Sequence, residues 1–186
     1  VGSSVRASLH DLALERLANV DLVITSTHFV RESLADDLAR SDDIYEVFDA
    51  VTPIISIEGF VTHQDSGRRA FGIQVYGVDE RFWRFHGREP EVFSQNAVLV
   101  SDGLSRELGA RVGDALLVRM EKPAVVPVTS LLGRRNDVGR TLRLSIENVL
   151  MPDELGEFSF RPQQGQARSV FVSLARLQRE LEQADR

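Results

Sequence analysis

The sequence predicts an α+β fold in two parts, a mixed helix-and-strand subdomain over 1–95 and a small β-rich subdomain over 96–186. Three observations predict it. Two helical patterns open the chain. A strand pair with hairpin chemistry fills 54–77. After Gly87 and Pro90 the strands shorten and are spaced by glycine, proline and polar clusters.

The first helix is expected over 5–18, where Leu9, Ala13 and Leu17 recur at helical spacing beside Leu12 and charge takes the other face. Asn19 is its expected stop, and Asp21 to Thr27 reads as a short β-rich run. A second helix is expected at about 28–40, stacking Val30, Leu34 and Leu38, and Ser41-Asp42-Asp43 ends it. Ile55, Ile57 and Val61 then alternate with Ser56, Glu58 and Thr62, the period of a strand with one buried face. Asp65-Ser66-Gly67 supplies the turn, and the return strand is expected to place Phe71, Ile73 and Val75 on one face. Gly77-Val78-Asp79 ends that strand, with Asp79 placed to cap a helix starting at Glu80.

In the second half, strands are expected at 97–100, 115–121, 124–129, 142–150 and 169–172, forming a curved sheet or partial barrel. A helix over 101–109 interrupts them, with Ser101 or Asp102 as N-cap and Gly109 ending it at positive φ. Polar loops fill 130–140 and 152–168. The closing helix starts at Ser173 and buries Leu174, Leu177 and Leu181.

Composition narrows the function classes. The chain of 186 residues is 42% hydrophobic, enough for a substantial core, and carries a net charge of −6. Without a basic stripe, that acidity argues against nucleic acid or an anionic membrane surface as partner. There is no cysteine, so neither a disulfide framework nor a thiolate metal site is available. The longest apolar runs, such as Ala124-Val125-Val126, fall far short of a membrane span.

The ordered motifs resemble the extracytoplasmic core domain of MacB/FtsX-type ABC transporter permeases. Gly77-Val78-Asp79 with Arg81-Phe82-Trp83 resembles that family's GVD turn and aromatic step. Val98-Leu99-Val100, Leu104, Leu108-Gly109 and Val112-Gly113-Asp114 resemble its strand, helix and VGD turn. Ser169 to Gln178 resembles its strand-to-helix step, and Val5 to Leu9 with Glu15-Arg16-Leu17 the stretch after the first membrane helix. The resemblance implies a Porter-like subdomain over 1–95 and a Sabre-like subdomain over 96–186. It also implies a periplasmic location on a membrane-embedded parent chain, of which this sequence is an excerpt truncated at its C-terminal end. The implied partners are an ABC ATPase subunit, a second permease copy, and a periplasmic adaptor or lipoprotein. ATP hydrolysis would belong to the separate nucleotide-binding subunit. The alternative is an extracytoplasmic sensory module that binds a peptide or lipid between its lobes.

No catalytic, cofactor-binding or metal-binding set is expected. His10, His28, His63 and His86 stand at no metal-ligand spacing, and Asp36-Asp37 and Asp42-Asp43 read as solvated helix ends. Phe82, Trp83 and Phe85 read first as packing residues, with a docking patch flanked by Arg81 and Arg84 as the sharper alternative. Leu132 to Arg140 reads as a solvated loop. Phe158 and Phe160 read as an edge strand, with a docking tip as alternative. The candidate partner contacts are therefore Arg81, Trp83, Arg84, Arg134, Arg135 and Phe158.

Overall fold

A computed structural model describes residues 2–26, 28–91, 94–120, 139–161 and 165–182. Three helices open the chain: α1 (Gly2–Leu17), α2 (Ser33–Ala39) and α3 (Asp42–Tyr45). The remaining elements are β1 (Ile55–His63), β2 (Arg69–Val78), α4 (Glu80–Phe85), β3 (Ala97–Ser101), α5 (Asp102–Leu108), β4 (Ala115–Met120), β5 (Arg140–Leu150), β6 (Ser169–Ser173) and α6 (Leu174–Glu180). The mixed α/β character expected from the sequence is present.

The strands close into a barrel in the order β1-β2-β6-β3-β5-β4. β1 pairs antiparallel with β2 on one side and with β4 on the other, which completes the circle. β2 runs parallel to β6, and β3 parallel to β5. The ring of strands runs across the expected division at 95/96. β1 and β2 from the first half and β3 to β6 from the second share one barrel, so neither half could satisfy its edge hydrogen bonds alone. The expected partial barrel is closed because the early hairpin supplies two of its strands.

Alternate residues along the strands build two cores. Ile73 and Val75 of β2, Val98 and Val100 of β3, and Val170 and Val172 of β6 join Val61, Leu116, Val118, Leu142, Leu144 and Ile146 in the larger one. Leu104 and Leu108 of α5, and Leu177 and Leu181 at α6, pack into the same cluster. The intervening residues Tyr76, Val78, Leu99 and Phe171 face outward into a second, aromatic core with Phe82, Trp83 and Phe158. β2, β3 and β6 are thus buried on both faces, whereas Thr141, Arg143, Ser145 and Glu147 keep one face of β5 exposed.

Several local expectations hold. Asp79 accepts from the Arg81 backbone N–H at 2.8 Å as N-cap of α4, and Gly109 ends α5 at φ 62°. Others are overturned. Ser101 does not cap α5: its hydroxyl donates to the Ala167 carbonyl and accepts from the Ser169 N–H, each at 3.0 Å, stitching β3 to β6. Ser173 is the N-cap of α6 as expected, though its side chain makes no capping bond. Residues 22–26 form no strand, and Leu22 and Ile24 are exposed. The second helix starts at Ser33, not 28, and Asp42–Tyr45 continues as a helical turn. Phe71 leaves the Ile73 and Val75 face because Gly72, at φ 64°, is an extra residue in the ladder: Gly59 pairs with Ile73 and Phe60 with Phe71. That one-residue bulge turns Phe71 outward against Phe60. The strand expected at 124–129, most of the 130–140 loop, and Leu9's packing lie outside the described residues and side chains.

The helical layer ahead of the barrel is lightly packed. Among described side chains between residues 10 and 54, only Arg16 and Ala35 are buried, while Phe29, Val20 and Ile54 lean on the two cores. Arg16 fixes the end of α1 by donating to Glu157 at 2.8 Å and to the Gly165 carbonyl at 2.6 Å.

Gly59 is a point of close approach between β1 and β4, where a Cβ would stand 2.4 Å from the Arg119 carbonyl oxygen. That oxygen is backbone and cannot step aside. Gly59→Ala should lower stability by about 2–3 kcal/mol in urea denaturation. Gly67→Ala, strained only by its φ of 69° in open space, should cost about 1 kcal/mol.

Candidate functional site

The best-defined polar site lies where the parallel strands β2 and β6 end. β2 runs into α4 through Gly77-Val78-Asp79, and β6 runs into α6 through Ser173, so two helix starts lie side by side. Arg81 reaches back to Asp79, with Nε at 2.9 Å from Oδ2, and across to Asp36 of α2 at 3.2 Å. It also pairs with Glu32, whose other carboxylate oxygen accepts from Gln178 of α6 at 2.8 Å. Hydrogen bonds to Asp79, and then to Glu32, raise the Arg81 pKa further, so this cation never titrates. Beside it lies an open groove of about 250 Å³ lined by Glu32, Asp79, Glu80, Glu91 and Gln178.

This joint is weak by construction. Glu32 and Asp36 side chains are 40% and 56% exposed, so each pair contributes about 0–1 kcal/mol and weakens with salt.

Beneath it the aromatic core is buried. Trp83 is 1% exposed and Phe158 2%. Phe158 packs its ring 5.2 Å from Phe82 and 5.3 Å from both Tyr76 and His86. The Tyr76 hydroxyl accepts from the Phe160 N–H at 3.3 Å. His86 closes the cluster, accepting from the Asn19 N–H at Nδ1 (3.5 Å). Burial first, then the nearby Arg88 charge, lowers its pKa to about 4.

The structure sorts the six candidate contacts. Trp83 and Phe158 are interior, which removes both from any docking surface and supports the packing reading. Phe158 and Phe160 form no strand. Arg81 is taken up by three acids. Arg84 is exposed and pairs with Glu80 one helical turn away at 2.8 Å. Arg134 and Arg135 lie outside the described residues. What the sequence did not reveal is the company of Arg81: its partners Glu32 and Asp36, and Gln178 on the other oxygen of Glu32, come from elements distant in the chain. One group of metal-ligating type, His63, Asp65 and Asp114, also assembles among the described residues. No helix among them is long and apolar enough to cross a membrane.

No protein-family model matches the sequence, and no curated protein matches it. Among solved structures, the chain is similar to the crystal structure of the periplasmic region of MacB from Actinobacillus actinomycetemcomitans, with a TM-score of 0.47 and 10% identity. The alignment covers 81% of this chain and 58% of that one, so the chain spans little more than half the length of that structure.

His86 gives the cluster a pH signature. The unfolded imidazole takes a proton near 6.5, while the folded one resists until about 4. Its contribution is therefore complete above 6.5 and is lost as pH falls toward 4, by on the order of 3 kcal/mol. The expected result is a urea midpoint that declines over this range less steeply in His86→Phe than in the wild type. Phe158→Ala should cost about 3–5 kcal/mol at neutral pH in the same assay.

Proposed function

We propose that this chain is a non-catalytic extracytoplasmic domain of an ABC transporter permease, passing conformational change between membrane helices and a periplasmic partner or cargo. The class comes from the resemblance of its ordered motifs to the MacB/FtsX-type core domain. Those motifs fall on the connections of the barrel: Asp79 caps α4, Gly109 ends α5, Gly113 and Asp114 turn into β4, and Ser169–Gln178 carries β6 into α6.

The observation that carries the mechanical role is a contrast in adhesion. The barrel is closed and buried, and packed cores switch between discrete arrangements in preference to deforming smoothly. At α2 the helical layer meets it through half-exposed polar contacts centred on Arg81, which can break and re-form at little cost. A stiff body with a reversible joint transmits displacement. In this reading the ATPase subunit supplies the energy, a second permease copy completes the machine, and an adaptor or lipoprotein meets it in the periplasm.

The chain's lack of cysteine makes a direct test available. In the native full-length protein, reconstituted with its ATPase, Glu32→Cys and Gln178→Cys would be bridged by a short bis-maleimide. Bridging should cut ATP-coupled export at least tenfold relative to the same double variant left unbridged. Undiminished export from the bridged protein, or a native gene product found only in the soluble fraction, rejects the proposal.

A further inference from the structure

We infer that His63, Asp65 and Asp114 form a binding site for one borderline divalent cation of the zinc type, independent of the transport reading. The three residues come from the end of β1, the hairpin turn and the first residue before β4, and their ligand atoms all lie within 4.8 Å of one another.

The imidazole carries the argument. His63 is 5% exposed, and its buried Nε2 makes no hydrogen bond although it stands 3.3 Å from Asp114 Oδ2. A buried polar atom without a hydrogen bond is costly, and one aimed at a carboxylate oxygen invites a shared third body. The spacing suits it: two atoms bound to one zinc at about 2.0–2.2 Å and near the tetrahedral angle stand roughly 3.4 Å apart.

The other ring nitrogen is placed as a metal-bound histidine requires. His63 Nδ1 lies 2.8 Å from the Ser66 hydroxyl, which also accepts from the Arg68 N–H at 3.3 Å. With the proton on Nδ1 donated to Ser66, the Nε2 lone pair is free for a cation. Asp114 is fixed in turn, accepting from the Arg111 N–H at 2.8 Å. The hairpin and β4 are locked together by the Gln64 N–H to the Ala115 carbonyl at 2.9 Å. Two ligands are thus preorganised, and Asp65, exposed on the turn, completes the set. One imidazole with two carboxylates and no thiolate selects zinc, cobalt, nickel or manganese over magnesium, which prefers oxygen and retains its waters.

The test uses the whole chain, stripped with EDTA and titrated by calorimetry with zinc chloride and, separately, magnesium chloride. One equivalent of zinc should bind with a dissociation constant in the micromolar range or tighter. Zinc at a hundredfold excess over that constant should raise the Tm by ~5–10 °C. Asp65→Asn, on an exposed turn, should keep the fold and weaken zinc at least tenfold. Asp114→Asn, which retains an oxygen for the Arg111 N–H, should do the same. Cobalt in place of zinc should give a visible ligand-field spectrum that both variants lose. Millimolar or absent zinc binding, magnesium binding as tight as zinc, or zinc binding that survives both substitutions would overturn the assignment.

Discussion

The parallel pairing of β2 with β6 is the constraint on which the rest depends. It joins residues 74–78 to 169–173, so the barrel closes only after nearly the whole chain is in place. Loop-closure entropy opposes such a contact, and the reward must be large. It is, because both strands are buried on both faces. Their inward residues fill the barrel core, and Tyr76, Val78 and Phe171 hold the aromatic core outside it. Losing this one pairing would expose both cores at once. Ser101 reinforces the closure from within by bridging to the segment that enters β6.

Local chemistry was legible in the sequence; closure was not. The hairpin, the Asp79 cap and the left-handed Gly109 are read from a few adjacent residues, and each is where it was expected. The barrel required knowing that an early hairpin and the last strand are neighbours, which no periodicity encodes. Strands at 54–63 and 169–173 show different patterns because one has an exposed face and the other does not, so the sequence suggested two separate lobes. Gly72 moved Phe71 because a bulge adds one residue and reverses every side chain before it.

The candidate site failed and succeeded for related reasons. An aromatic flanked by arginines looks like a contact surface when its coverage is unknown. Trp83 and Phe158 are covered by each other's neighbours, from segments more than seventy positions apart. Separation along the chain, 49 and 45 positions from Arg81 for Glu32 and Asp36 and 146 from Glu32 for Gln178, hid these residues from view. It also hid His63, Asp65 and Asp114, since spacing rules for metals address ligands on one helix or one loop. Here the hairpin and the turn before β4 meet only through the β1–β4 ladder that completes the barrel.

Position gives the charged joint its meaning. Arg81 follows β2 and Gln178 follows β6, and these are the two strands whose parallel pairing closes the fold. Glu32 binds both residues, one through each carboxylate oxygen, so a single side chain of the helical layer spans the shared end of that pair. Force applied to α2 therefore arrives at two strands together and loads them in the same direction, along axes that are parallel. Such loading shears nothing between them. An apolar contact of equal area would hold more tightly but release less readily, whereas half-exposed ion pairs exchange with water at little net cost. Under load these exposed pairs would part before the buried ladders of the barrel.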